Sequence, residues 1–320
     1  MPAAPDLDTV GMEYYCNLCR THTLHRKVLA HWDNTYYIDK KIYSLVRCHV
    51  CGLVEVENKP TDDVLARYYQ SNYYAYDTST NVFTKIKAAA ARAAKLLPRV
   101  VARRLLLDHL YAFASTPDAS VLDLGCGDGS ALQALKALGF TNLYGTEIDP
   151  SRRSVLEKQG IGVVITSDIT TANLPEASFD VVRLSHVLEH VRNPSETIGR
   201  CWQLLKSRGK LLVAVPNFDS PARSLFGRYF CGLQLPTHLY HFNRSNLTQL
   251  LTSHGFTVKT LYTVGYSGFS YSLITLLRDK YGIVLSKGTA TGLILLLAPL
   301  DAFFNLMGLG YITTAEAVKP

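Results

Sequence analysis

The sequence predicts an α/β protein, a parallel sheet with helices on both faces, preceded by a small cysteine-held module. Three observations carry this. Apolar strand-like runs alternate with helix-periodic runs from residue 119 to 264. The first of those strands runs directly into a glycine-rich turn, Gly125-Cys-Gly-Asp-Gly129. Upstream, two Cys-x-x-Cys pairs, Cys16/Cys19 and Cys48/Cys51, stand 28 residues apart. A chain of 320 residues has room for one large domain and one small one.

The elements follow in order. Residues 13–60 hold the cysteine pairs and short strand-like runs. Residues 61–118 look like a helical linker or lid, alanine- and arginine-rich and broken at Pro98. Val121–Leu124 is a short buried strand, followed by a helix from about Ser130 to Leu138. Asn142–Ile148 is the second strand; Asp149 then caps a helix with Pro150 in its first position. Gly162–Thr166 and Phe179–Leu184 are the third and fourth strands. Asn193-Pro-Ser-Glu196 opens a helix that Gly209 is expected to end, and Lys210–Val215 is the fifth strand. A further helix runs to Ser253 and closes at Gly255. Gly292–Gly310 is apolar, interrupted by Pro299, Asp301 and Asn305. A mid-stretch aspartate is costly at a bilayer centre, so this segment reads as a buried or interfacial helix pair, an insertion over about 268–308. Tyr311–Val318 is a last strand candidate.

In each Cys-x-x-Cys pair, two intervening residues let both thiols face one tetrahedral ion, and the second pair completes the shell. Cys16, Cys19, Cys48 and Cys51 therefore predict a structural zinc ribbon; a redox dithiol pair and unliganded buried cysteines are the other readings. Four thiolates leave no position for a catalytic water. Seven cysteines, an odd number, do not suggest a disulfide framework, and the N-terminus lacks a signal-peptide pattern. A reducing, cytoplasmic location is expected, with the apolar tail segment in peripheral contact with the inner membrane.

The glycine turn departs from the dinucleotide fingerprint, because its third glycine comes one residue early and Ser130 stands where that glycine would fall. VLDLGCGDGS (121–130) instead resembles motif I of class I S-adenosylmethionine (SAM)-dependent methyltransferases, whose sheet is Rossmann-like. GTEIDP (145–150), Ser167-Asp-Ile169, FDVVRLSHVLEHVRNP (179–194) and LLKSRGKLLVAVPN (204–217) resemble the later motifs, in order. The resemblance implies that the backbone at Gly125 and Gly127 passes under the methionine part of SAM. It implies that Asp123 orients the ammonium, the alternative being a carboxylate that caps the turn. Glu147 is implied to accept the ribose hydroxyls, and Asp168, beside Ile169, the adenine amino group. The cysteine module followed by LARYYQSNYYAYD (65–77) resembles a subset of these enzymes that acts on sugars or cell-surface glycans.

Methyl transfer to a hydroxyl needs alignment and a base, and histidine is suited to the second task. Two clusters supply candidates: Ser185-His-Val-Leu-Glu189-His190 and Pro236-Thr-His238-Leu-Tyr-His241-Phe242. His238 and His241 lead, followed by Glu189 and His190; the plain alternative is that all of them pin loop backbone. Tyr73, Tyr74 and Tyr76 are candidates to close over the acceptor or to pack between the units. The expected acceptor is a small-molecule or lipid-linked glycan hydroxyl. A quinone-like small molecule methylated on O or N, or an RNA, is the alternative. Nucleic acid is disfavoured because the basic run from Lys85 to Arg104 lacks interleaved aromatics.

Overall fold

The computed structural model describes residues 11–69 and 117–320, apart from Ser167 and Tyr266. The lid candidates Tyr73, Tyr74 and Tyr76 and the basic run lie outside the described residues. Two sheets organise the rest. The N-terminal sheet contains β1 (Met12–Cys16), β2 (Thr21–His31), β3 (Tyr43–Cys48) and β4 (Val54–Val56), all antiparallel. A helix over Asp62–Tyr68 follows.

The second sheet begins with β5 (Val121–Leu124), β6 (Leu143–Glu147), β7 (Gly162–Ile165), β8 (Phe179–Ser185) and β9 (Leu205–Pro216), pairing in parallel in the order β7-β6-β5-β8-β9. A two-residue strand, β10 (Tyr240–His241), leaves this unit and pairs with β4 as the fifth strand of the N-terminal sheet. The larger sheet is completed by β11 (Thr257–Val264) and β12 (Ile312–Val318). β12 inserts between β9 and β11, antiparallel to both. The expected strand at the C-terminus is present, and it makes the sheet mixed rather than wholly parallel.

The parallel strands read as continuous apolar runs because both faces are covered. All four residues of Val121–Leu124 are buried. Helices Ser130–Ala137 and Pro194–Leu204 bury Leu132, Ala134 and Leu135 in one case and Ile198, Cys201 and Leu204 in the other. The second of these is capped by Asn193, whose side chain accepts from the backbone N–H of Glu196, with Pro194 at its first turn. Gly209 does not end that helix. The helix stops at Leu204, and Gly209 lies inside β9, where an added Cβ would meet the Lys206 carbonyl oxygen at 2.8 Å. A strand hydrogen-bonded on both sides outweighs the helix-stop tendency of a glycine there. Leu18, Leu53, Cys16 and Cys48 belong to the same buried cluster as Leu122, Leu184 and Val213, so the small module and the large sheet share one core.

The apolar insertion forms helices Gly268–Tyr281 and Lys287–Leu306. The second is long and apolar enough by length and composition to cross a membrane, and little of it is covered by the rest of the chain. Of the two expected readings, buried or interfacial, the helix is not the buried one. Two polar residues of its C-terminal half face inward: Asp301 and Asn305 are buried, while Leu295, Leu296, Phe303 and Leu306 are exposed.

Candidate active site

Strand order reverses at β5, with β6 and β7 on one side and β8 and β9 on the other. The carboxyl ends of β5 and β8 therefore flank the crevice where open α/β sheets place their ligands. The chain leaves β5 through Gly125, Gly127 and Gly129, all with positive φ. At Gly125 the need for glycine is doubled, because a Cβ would lie 2.7 Å from the Val187 side chain in the loop after β8. The turn is held by side chains of β6: the Gly125 N–H donates to Thr146 Oγ1 (3.0 Å) and the Gly127 N–H to Glu147 Oε2 (2.8 Å). Glu147 Oε1 also accepts from the N–H groups of Ile148 and Asp149. The acid expected to read a ribose thus also fixes the glycine turn beneath it.

Asp123 is buried on β5. It does not cap the turn: both its oxygens accept from Arg183 Nη1 at 2.8 Å. Parallel pairing sets Asp123 opposite Arg183 on β8. Burial raises the Asp123 pKa above the usual carboxylate range, against the opposing pull of Arg183. Asp168 is exposed, and its Oδ1 accepts from the backbone and hydroxyl of Thr170; Ile169 packs beside it at the edge of the main core.

The loop after β8 starts at His186, which takes a positive φ of 56° and hydrogen-bonds through its N–H to Ala214. That turn carries Glu189 and His190 inward. His186 Nδ1 lies 3.2 Å from Glu189 Oε1. His190 Nδ1 lies 2.9 Å from the Thr237 carbonyl oxygen, and His238 Nδ1 lies 2.9 Å from that of Gly232. The His190 and His238 rings meet edge to face with centroids 4.6 Å apart. Burial lowers the pKa of both, His238 well below the ordinary value, helped there by the neighbouring His190 and His241. His241 sits on β10 against Phe218, its ring centroid 6.3 Å from that of His238, and burial together with Arg223 lowers it to about 3.

The four module cysteines converge. Cys16 and Cys51 sulfurs are 3.5 Å apart, Cys19 and Cys48 sulfurs 3.8 Å apart, and all four lie within 4.8 Å of one another. Ligands on a tetrahedral zinc with Zn–S bonds of ~2.3 Å lie about 3.8 Å apart, so the thiols fit that ion. Gly52, at φ 74°, turns the chain after the second pair, and its N–H returns to the Cys48 carbonyl at 3.0 Å. None of His22, His25, His31 and His49 belongs to this cluster.

Residues 89–261, more than half of the chain, match the protein family described as methyltransferase domain. The chain belongs to the SAM-dependent methyltransferases. Curated relatives include a ubiquinone biosynthesis O-methyltransferase of Nitrosococcus oceani, 32% identical over 148 residues, covering 43% of this chain and 62% of the relative. Another protein so described, from Xanthomonas oryzae, is 28% identical over 144 residues, covering 42% and 60%. The chain thus spans about three fifths of the length of these relatives. Among solved structures, a possible histamine N-methyltransferase of Thermotoga maritima is similar at a TM-score of 0.47 and 14% identity, covering 77% of this chain and 99% of that one.

Within this methyltransferase the structure brings Asp123, Gly125, Gly127 and Glu147 to one end of the sheet, and gathers Glu189 and His190 of the turn after β8 with His238 of the loop before β10. His241 stands to one side of that trio. Sequence reasoning assigned no role to Arg183, although it lies inside the quoted 179–194 string. Its signal is the strand register, since an arginine and an aspartate on adjacent parallel strands share a face. The carbonyls of Thr237 and Gly232 carry no residue-type signal at all.

Proposed function

We propose that this methyltransferase moves the methyl group of SAM to a hydroxyl oxygen of a lipid-linked acceptor, a glycan in the first instance. The observation that carries the reading is the trio Glu189, His190 and His238 beside the crevice, with Glu189 Oε2 and both Nε2 atoms buried and without hydrogen-bond partners among the described residues. The Nδ1–H of each ring is committed to a carbonyl oxygen, so each neutral Nε2 keeps its lone pair. SAM supplies an electrophilic methyl on a sulfonium and leaves as neutral S-adenosylhomocysteine. Gly125 and Gly127 let the backbone approach the methionine part, the Glu147 carboxylate supplies an acceptor for the ribose hydroxyls, and Asp168 with Ile169 borders the adenine. Asp123, held in place by Arg183, is the proposed acceptor for the ammonium, through water. The acceptor hydroxyl loses its proton at this trio, with His238 Nε2 the candidate base when no other group occupies it, as the oxygen attacks the methyl carbon and the carbon–sulfur bond breaks. His190 and Glu189 orient the hydroxyl.

The lipid character rests on the insertion, whose second helix turns its apolar side outward while Asp301 and Asn305 face the protein. The names of the relatives favour a second lipid-soluble acceptor, a quinone-like phenol. Four-thiolate zinc is the proposed occupant of the cysteine cluster, in a folding role, within a module over residues 13–60. One experiment tests the acceptor: incubation with methyl-labelled SAM and an organic extract of membranes. Label recovered in the organic phase is expected. Label found in RNA or only in water-soluble compounds overturns the reading.

A further inference from the structure

The trio raises a problem of donors and acceptors. A carboxylate only accepts hydrogen bonds. His190 and His238 each face a backbone carbonyl through Nδ1, and a carbonyl also only accepts, so Nδ1 carries the hydrogen in both rings. Three buried acceptors, Glu189 Oε2, His190 Nε2 and His238 Nε2, then lack a donor among the described residues. One ligand atom from each of these residues lies within 4.8 Å of the others. Buried polar atoms left unsatisfied cost free energy. A single water has two protons and leaves at least one acceptor bare. A divalent cation satisfies all three together.

We propose that Glu189, His190 and His238 bind a divalent transition-metal ion, separate from the four-cysteine site. Two imidazoles and a carboxylate suit zinc, manganese, cobalt or iron(II). The surroundings are those of a metal site in three respects. Carbonyl oxygens fix both imidazole tautomers; Glu189 Oε1 is held by His186 at 3.2 Å, leaving Oε2 for the ion; and the Tyr69 hydroxyl lies 3.2 Å from His190 Nδ1. The ligands also come from two chain segments, the turn after β8 and the loop before β10. These are tied together by the Leu239 N–H donating to the Glu189 carbonyl at 2.8 Å.

Three protein ligands leave coordination positions open. The inference deepens the reading of this cluster as the place where the acceptor loses its proton. An acceptor hydroxyl bound to the ion would lose its proton to solvent at neutral pH, and the resulting oxyanion would attack the methyl carbon as the carbon–sulfur bond breaks. His238 then acts as a ligand and not as the base.

The test uses the full chain with cobalt(II) exchanged into its cysteine site. Cobalt(II) titration is followed by absorbance and by metal content after gel filtration. Two ions per chain are expected: one with the intense thiolate-to-cobalt bands of a four-cysteine site, one with the weak visible bands of nitrogen and oxygen ligands. His238→Ala and Glu189→Gln should each remove the second ion and its weak bands while retaining the first. The second variant serves where the first does not fold. SAM affinity, measured by calorimetry on the same samples, should be retained. Saturation at one ion per wild-type chain, with SAM binding intact, overturns the metal site and leaves the methyltransferase reading standing. Two ions with no label transferred to any membrane extract sinks the acceptor reading and leaves the metal site.

Discussion

At the scale of single residues, the site depends on a few carboxylates with two duties each. Glu147 accepts three backbone N–H groups and is the proposed ribose acceptor. Glu147→Ala should therefore weaken SAM binding by about 10- to 100-fold, the value of one or two charge-assisted hydrogen bonds. Glu147→Gln, which keeps one acceptor, should lose less. Calorimetry with SAM measures both, and an unchanged affinity for the alanine variant would remove Glu147 from the cofactor site. Arg183 poses the complementary case. Arg183→Leu strands a buried carboxylate, which costs about 3 kcal/mol when one partner of a buried pair is removed. Urea unfolding should show a lower midpoint with an unchanged slope. The glycine turn, Glu147 and the cysteine pairs were legible in the sequence because each is a local string whose chemistry is complete within a few residues. The Asp123–Arg183 pair and the tautomer-fixing carbonyls were not, because they depend on strand register and on the return of a loop some fifty residues later.

At the scale of elements, strands were easier to place than their ends. Apolar runs marked β5 to β9, but Gly209 misled because a glycine says equally little against an interior strand turn and for a helix stop. The apolar insertion was legible as helix, with buried and interfacial both left open, since hydrophobicity alone does not say which side is covered. Its attachment rests on polar contacts: Asp301 Oδ1 accepts from the Phe269 N–H at 3.4 Å, and Asn305 Nδ2 donates to the Gly265 carbonyl at 2.6 Å. Burial pushes Asp301 up to about 6. An unfolded-chain aspartate titrates near pH ~4. Between those values the native state holds a proton that the unfolded chain has released, so stability is full below the window and falls as pH rises through it. Asp301→Asn should flatten that part of the profile. Melting temperatures of both proteins from pH 4 to 7 measure it, and parallel curves would show that Asp301 does not titrate there.

At the scale of the whole molecule, the cysteine module and the catalytic sheet are one structure. β10, separated from His238 by Leu239 alone, is the fifth strand of the module's sheet, and Arg20 and Asn17 hydrogen-bond Ser195 at the start of a core helix. A chelator that strips the cysteine site should therefore lower the melting temperature of the entire chain in one transition. The insertion sits on the other functional question, how a lipid-linked acceptor reaches a crevice in the sheet. Its second helix presents Leu295, Leu296, Phe303 and Leu306 to solvent, with Met307 and Leu309 beyond its end. Contiguous exposed apolar surface of this kind marks contact with a membrane or another apolar partner. The wild-type chain should sediment with vesicles of an anionic and a neutral phospholipid. Leu295→Ser combined with Leu296→Ser and Phe303→Ser should reduce the bound fraction at least tenfold without changing SAM affinity, since none of the three touches the glycine turn. Apolar insertion predicts that binding survives raised salt, whereas attraction through charge alone would fade as screening grows. If the triple variant sediments as the wild type does, the helix is not the membrane contact, and the acceptor must reach the site without it.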